Sequence, residues 1–269
     1  ENNKSYALTI DKFALPNEAP PIIEVVALGT PVPDSAPVSQ EDSLLMRVLV
    51  AYTDDAAAAT WNIDGDAALA ISEANIALGN SGIINRFELA DTYVTNYSET
   101  GNANADLKRL KNDSDGYMDD VINKKYETDA EIVMLITERS NYCGLAYLLT
   151  SYDLTFRDST FGVVRRDCAT APQYSFTHEL GHLVGARHDS SNSYGTGINT
   201  YSFGHINTTS PAFRTVMSYS TVCEDKGVSC PRLLNFSNPD LFNNNRPLGT
   251  NTENNARSLK EVMPWAGNY

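Results

Sequence analysis

The chain has 269 residues, which is enough for one large domain or for one domain with an appendage. Hydrophobic residues make up 42% of it, so a substantial core can form. The net charge of −14 argues against nucleic acid or an anionic membrane as a partner, because both require clustered Lys and Arg. No apolar run approaches the roughly 18 residues of a membrane span.

The first 42 residues differ from the rest of the chain. They begin Glu1-Asn2-Asn3-Lys4, without Met, which fits a processed product whose secretory signal lay upstream. Residues 6–10 could form one short strand. Six prolines then follow between residues 16 and 37, and because proline stiffens the backbone and removes donors, they predict an extended linker. We expect a compact domain over residues 43–269.

Secondary-structure patterns in the compact domain alternate between strand and helix. Apolar or alternating runs predict strands at residues 44–52, 86–95, 132–137, 145–150 and 161–165. Apolar residues at helical spacing predict a helix that opens at Asp64 and ends near Gly79, and residues 102–111 and 118–126 are also predicted to be helical. This alternation predicts an α/β architecture.

The four cysteines are predicted to form two disulfides. An even count without CxxC spacing fits an extracellular chain and argues against a cysteine-type zinc site. Three connectivities are possible, and free buried thiols are the alternative. Sequence proximity favours Cys223–Cys230, which leaves Cys143–Cys168.

An acidic loop at residues 112–120 raises the question of calcium. The loop departs from the EF-hand pattern, because placing Gly116 at position six puts Lys111 at position one and Ile122 at position twelve. A solvated turn followed by a helix cap is the favoured interpretation, since Asp and Asn prefer such positions. Calcium stays open as a second ligand.

Residues 178–189 carry the chemistry. His178 and His182 are four residues apart, so on a helix both imidazoles lie on one face and can hold one ion. Gly185 allows a sharp turn through positive φ, which lets His188 become the third ligand of a catalytic zinc. Glu179 is expected beside the metal, where it can take a proton from an activated water and pass it to a leaving amine.

The full spacing is a specific signal. The chain has four histidines, and three of them occupy the required positions. His205 is left over, and we interpret it as a loop histidine. Downstream, residues 214–219 place Met217 and Tyr219 in the sequence Arg-Thr-Val-Met-Ser-Tyr.

These two motifs resemble those of the metzincin metallopeptidases. The resemblance implies a metzincin-type zincin, with a twisted, mostly parallel sheet and helices in an upper lobe and a smaller, irregular C-terminal lobe. It implies a first zinc-binding helix near residues 172–184, a C-terminal helix near 255–263, and Met217 as an apolar floor beneath the histidines. Tyr219 matches the tyrosine that stabilises the oxyanion in astacins and serralysins.

Within that clan the chain is most similar to bacterial secreted peptidyl-Asp metalloendopeptidases. Asp189 after the third histidine is similar to the adamalysin side, where it anchors the fold, and further similarity covers residues 143–147 and 236–240. The resemblance implies a secreted monomer that acts on proteins or peptides. It also implies that residues 1–42 are a propeptide tail and linker. A mature N-terminal arm packed on the domain is the rival interpretation.

The resemblance also implies a preference for Asp after the scissile bond. A desolvated carboxylate needs a cation, and Arg214, close to Met217, is our first candidate. Arg165 and Arg166 are the next candidates, whereas Arg187 is expected to be structural. The backbone of Gly144, Leu145 and Ala146 is expected to form the edge strand that pairs with substrate.

Other functions fit the sequence less well. A catalytically weak metzincin could act as a protein-binding or adhesin module, but such proteins typically lose Glu179 or a histidine, and both are intact here. A zinc aminopeptidase usually has Glu as the third ligand, and a zinc deaminase needs a CxxC pair.

Overall fold

We describe the protein from a computed structural model, which covers residues 18–23 and 44–267. The strand predicted at residues 6–10 lies outside this part of the chain. Among the described helices, none combines the length and apolar character that crossing a membrane requires.

A five-stranded sheet forms the centre of the domain, in the order β2-β1-β3-β5-β4. Its first four members in this order pair in parallel, and β4 closes one edge antiparallel to β5. Strands β1 and β3 are almost wholly buried, as expected for parallel strands covered on both faces. The strands are β1 (Leu45–Thr53), β2 (Arg86–Thr95), β3 (Ile132–Thr137), β4 (Gly144–Ala146) and β5 (Phe161–Arg165). The predicted mostly parallel α/β fold is confirmed.

Helices connect these strands, and side-chain caps fix where several of them begin. The helices are α1 (Asp54–Ala58), α2 (Ile63–Asn80), α3 (Ala103–Lys111) and α4 (Asp119–Glu127). Asn62 caps α2 by accepting from the Gly65 amide, and Asn102 caps α3 in the same way. The three longer helices confirm the predictions, whereas the five-residue α1 is too short to leave a periodic pattern.

The chain after the sheet is more irregular. Helix α5 (Ser175–Leu183) is followed by strands of two to six residues in separate two-stranded sheets. These strands are β6 (Arg187–Asp189), β7 (Phe203–Gly204), β8 (Ile206–Asn207), β9 (Phe213–Arg214), β10 (Asn238–Asn243) and β11 (Arg246–Leu248). Short α6 (Thr221–Asp225) and the C-terminal α7 (Asn255–Ala266) complete this part. It matches the expected smaller, irregular lobe.

Two boundaries differ from the sequence predictions. The strand predicted at 145–150 ends at Ala146, because the next amides leave the sheet: Leu148 donates to Ile22 and Leu149 donates to the His182 carbonyl. The helix predicted at 172–184 begins only at Ser175, because Tyr174 adopts a left-handed backbone with φ of 56°.

Two disulfides fasten the fold. Cys143 bonds Cys168, which ties the start of β4 to the segment before α5, and Cys223 bonds Cys230. The favoured connectivity is therefore confirmed.

Candidate metal centre and substrate cleft

Three buried histidines converge on one point. The Nε2 atom of His178 lies 3.1 Å from that of His182 and 2.9 Å from that of His188. The Nε2 atoms of His182 and His188 are also 2.9 Å apart. Within residues 18–23 and 44–267, this is the cluster of His, Cys, Asp and Glu side chains that can hold a metal.

The opposite ring nitrogens fix the tautomers. Nδ1 of His178 lies 3.0 Å from the Val216 carbonyl, and Nδ1 of His182 lies 2.8 Å from that of Ala186. His188 Nδ1 faces the Asn192 carbonyl at 3.4 Å. Because a carbonyl can only accept, each Nδ1 carries the proton and each Nε2 presents a lone pair.

Three facing lone pairs repel one another unless a cation lies between them. Protonation is opposed by burial, which lowers the pKa of His178 to about 4. Burial also lowers the pKa of His182 and His188 well below the usual range. Neutral imidazoles with Nε2 directed inward are the donor set that zinc prefers, so these residues fit the metal.

A turn at Gly185 brings the third histidine to the other two. Helix α5 ends at Leu183, and Gly185 adopts φ of +90°, a conformation that a side chain would strain. A Cβ at this glycine would also lie 2.8 Å from Ile198. The chain then reverses into β6, which carries His188.

Glu179 lies in α5 with its carboxylate unpaired. The residue is fully buried, and neither carboxylate oxygen has a hydrogen-bond partner among the described residues. Burial, with a contribution from the charge of Glu18, raises the pKa of Glu179 well above its usual value. Gly144 of β4 packs against this carboxylate, so closely that a Cβ there would be 2.3 Å from Oε1.

The segment around Met217 lies beneath the histidines. Met217 is fully buried, and its sulfur packs against the backbone of α5 at Gly181. The ring of Tyr219 lies 4.1 Å, centroid to centroid, from that of His188. The Asp189 carboxylate accepts from the Tyr219 amide at 3.1 Å, which connects β6 to this segment.

Residues 18–23 lie between β4 and Tyr219, a region that we call the cleft. The Ala19 amide donates to the Gly144 carbonyl and the Ile22 amide donates to the Ala146 carbonyl, both at 2.9 Å. A parallel bridge joins Ile22 to Tyr147. The edge that we expected to pair with substrate therefore pairs with a segment of the same chain, while Leu145 is buried and pairs with Val163 in β5.

Glu18 lies in this cleft, where three side chains donate hydrogen bonds to it. Its backbone carbonyl accepts from the Tyr219 hydroxyl at 2.8 Å. Its carboxylate accepts hydrogen bonds from Arg232 Nη1 at 2.6 Å, from Arg232 Nη2 at 2.9 Å and from the Ser175 hydroxyl at 2.8 Å. Burial alone would raise the pKa of Glu18, but the charge of Arg232 and its hydrogen bond hold the pKa well below its usual value.

Sequence reasoning did not single out Glu18, Ser175 or Arg232. Arg232 carries no motif signal, since it lies in the sequence Pro-Arg-Leu at residues 231–233. Its contact with Glu18 spans 214 residues, so no local pattern reports it.

The remaining predicted residues have other partners. Arg214 lies beside Arg232 but donates to the Ser218 carbonyl at 2.7 Å. His205 lies in the lower lobe, where Nδ1 is 2.8 Å from Glu253. In the acidic loop, Asp115 and Asp119 accept from nearby backbone amides, as in a turn, whereas Met118 at the start of α4 provides no side-chain cap; calcium there stays untested.

Comparison with known proteins identifies the family to which this fold and metal centre belong. Residues 45–237 match metallo-peptidase family M12, and the chain is a member of that family.

Its relatives include the peptidyl-Asp metalloendopeptidase of Stenotrophomonas maltophilia (strain K279a), 39% identical over 220 residues, or 80% of this chain and 50% of the relative. The enzyme of the same name from Xanthomonas campestris pv. campestris is 34% identical over 261 residues, or 96% of this chain and 57% of the relative. The chain thus spans about half the length of these relatives. A solved structure described as a chaperone-substrate complex shares the fold, with a TM-score of 0.62 at 15% identity over 84% of this chain and 35% of that chain.

Proposed function

We propose that this protein is a zinc-dependent endopeptidase. The observation that carries the proposal is the convergence of three imidazole Nε2 atoms on one point, with their Nδ1 atoms engaged by backbone carbonyls. Family membership supports it. When bound by His178, His182 and His188, zinc would supply Lewis acidity and make water acidic enough to ionise near neutral pH.

Glu179 is the general base. Its carboxylate has no competing hydrogen-bond donor among the described residues, and its raised pKa suits a group that accepts a proton and then releases it. It takes a proton from the attacking water and delivers it to the nitrogen of the leaving amine. The Tyr219 hydroxyl donates to the carbonyl oxygen of the reacting peptide, as it does to the carbonyl of Glu18.

Substrate lies in the cleft along β4 and is read after the scissile bond by an acid-binding pocket. The carbonyls of Gly144 and Ala146 are available to accept amides from an added peptide, as they accept those of Ala19 and Ile22. A preference for Asp is supported by the relatives, which are named peptidyl-Asp metalloendopeptidases. The substrates are proteins and peptides, and the enzyme acts as a monomer.

Residues 1–42 form a propeptide tail and linker, and residues 43–269 form the catalytic domain. The placement of residues 18–23 in the cleft supports this division, because a segment bonded to β4 and to Tyr219 would block substrate. Two disulfides support secretion, since such bonds persist in oxidising compartments.

The test uses the full chain, loaded with zinc and cut by limited proteolysis between residue 23 and β1 so that residues 18–23 can dissociate, and then incubated with internally quenched peptides. We expect cleavage that a chelator abolishes and that added zinc restores. Glu179→Gln should retain one zinc per chain but lose activity by several orders of magnitude, because the water then has no base. Peptide binding without cleavage by the zinc-loaded protein would favour the binding-module alternative, and full activity in Glu179→Gln would refute the mechanism.

A further inference from the structure

Arg232 and Ser175 form a buried receptor for one carboxylate. The two guanidinium nitrogens of Arg232 contact separate oxygens of Glu18, at 2.6 and 2.9 Å, in a bidentate arrangement. Ser175, the first residue of α5, donates to Oε1 at 2.8 Å. The side chains of Arg232 and Glu18 are each 3% exposed, so the pair is shielded from solvent.

The position of this receptor relates it to the bond that is cut. The residue whose carboxylate enters the receptor is the residue whose carbonyl accepts from Tyr219. The next amide, that of Ala19, donates to Gly144, whose backbone packs against Glu179. The receptor therefore binds the side chain of a residue whose backbone lies beside the catalytic groups. In a bound substrate, that residue would be adjacent to the scissile bond.

Other arginines of the upper lobe and the cleft have different partners. Arg165 pairs with Asp167 and Arg166 pairs with Glu138, each through two guanidinium nitrogens. Arg187 donates to the Gly195 carbonyl at 2.8 Å and lies over the ring of Phe203. Of the arginines considered, Arg232 is the one that contacts a carboxylate inside the cleft.

Departure of Glu18 would leave the charge of Arg232 buried without its counter-ion. Such a charge is costly, and the backbone carbonyls of Gln173 and Ser218, which accept from Arg232, can offset it only as dipoles. The open receptor therefore favours a new carboxylate over a neutral side chain. Its fork and the adjacent hydroxyl match the planar carboxylate of an acidic residue.

We propose that Arg232 is the specificity-determining residue of this peptidase, and that Glu18 occupies its pocket as an internal substitute for the acidic side chain of a substrate. This inference rests on the proposed function and names the residue that would recognise the acidic side chain of the substrate. It places the recognition on Arg232 and not on Arg214, the candidate that the sequence favoured.

The test measures kcat/KM for two sets of quenched peptides, in which Asp, Glu, Asn or Ala stands either directly before or directly after the scissile bond. The set in which Asp is preferred defines the position that the receptor reads. The full chain is zinc-loaded, cut between residue 23 and β1, and allowed to reach constant activity. The ratio of two kcat/KM values does not depend on the active fraction, so incomplete release of residues 18–23 cancels. We expect the unmodified chain to favour Asp over Asn by about 10- to 100-fold, the range typical of hydrogen bonds to a charged group.

Arg232→Gln should reduce the Asp-to-Asn ratio to near one while the Ala peptide is still cleaved. Arg214→Gln is the matched control, because the two residues are neighbours, and it should keep the ratio. Arg232→Lys keeps the charge but not the fork, so it should lower the ratio by several fold. If thermal melting shows that Arg232→Gln does not fold, the Asp-to-Asn ratio of Arg232→Lys is the test instead.

An unchanged ratio in the folded Arg232 variants would overturn the inference, and a ratio lost only in Arg214→Gln would transfer the role to that residue. Cleavage by the unmodified chain without any acidic preference would overturn the inference and leave the proposed function intact. No cleavage of any peptide by the zinc-loaded chain would instead overturn the proposed function itself.

Discussion

Replacing Gly144 by Ala should damage the general base without removing the metal. A Cβ at residue 144 would lie 2.3 Å from Oε1 of Glu179 and 2.8 Å from both Cδ and Cγ. Ordinary contact begins at 3.4 Å, so the oxygen must retreat by 1.1 Å, the difference between 3.4 and 2.3 Å. Strand β4 cannot yield easily in its place, because it pairs with β5 and follows the disulfide at Cys143.

A misplacement of about 1 Å at a reacting group can cost about 100-fold in rate, so we expect kcat/KM to fall by about that factor. Overpacking of this kind also destabilises by about 1–3 kcal/mol. The three heavy atoms nearest the new methyl group all belong to Glu179, so zinc content should stay at one per chain. The measurements are kcat/KM with a quenched peptide, zinc by elemental analysis, and thermal melting.

Gly79→Ala is the matched control for this variant. It adds the same methyl group in helix α2, where the nearest atom, an Arg86 nitrogen, is 3.7 Å away. Alanine should stabilise that helix by about 0.5–1 kcal/mol and leave kcat/KM unchanged. The reasoning fails if Gly144→Ala keeps the kcat/KM of the unmodified chain, or if its activity falls only in proportion to lost zinc.

Three further predictions concern the rest of the structure. The disulfide between Cys143 and Cys168 closes a loop with a sequence separation of 25, and that between Cys223 and Cys230 closes one of 7. Chain entropy predicts that replacing the first pair by Ser lowers the free energy of unfolding by about 3.5 kcal/mol, and replacing the second pair lowers it by about 2.3 kcal/mol. Denaturant unfolding that gave the reverse order would contradict that account. Tyr219→Phe removes the hydroxyl that reaches the Glu18 carbonyl, so kcat should fall by about 10²–10³-fold with zinc retained, and an unchanged kcat would exclude the role of Tyr219. The pKa of Glu18 is held below its ordinary value of 4.5, so the ionised form stabilises the fold above that pH, and this stabilisation is lost as the pH falls through the lower folded-state pKa. On acidification, the melting temperature of the unmodified chain should therefore fall more than that of Glu18→Gln. Parallel melting-temperature curves for the two proteins would count against this.

The metal centre was predictable from sequence because its geometry is local. Two histidines four residues apart share a helix face by the helical repeat alone, and a glycine three residues later can take the positive φ that returns the chain. The structure gives Gly185 that φ and brings His188 to the other two. The strands followed for the same reason, since β3 is a continuous apolar run up to Thr137 and β1 is mostly apolar.

The carboxylate receptor formed by Arg232 and Ser175 was not predictable from sequence, because it depends on contacts between distant parts of the chain. Arg214 and Arg232 lie side by side across a bridge, and nothing in their sequence neighbourhoods distinguishes them. Their side chains differ in direction: the guanidinium of Arg214 donates to the Ser218 carbonyl, whereas that of Arg232 contacts the carboxylate of Glu18. The early end of β4 has the same origin, since the amide of Leu148 bonds to Ile22, 126 residues earlier in the sequence.

The covalent connection between Glu18 and the domain determines how firmly the pocket is filled. A carboxylate joined to the domain through residues 24–43 competes for Arg232 as an intramolecular ligand, at an effective concentration on the order of millimolar. The same segment, once cut from the domain, is diluted to its bulk concentration and must compete with every acidic peptide present. If residues 18–23 act as the proposed internal substitute for substrate, one cleavage between residue 23 and β1 would convert a tethered inhibitor into a weaker diffusible one, without any change in the pocket.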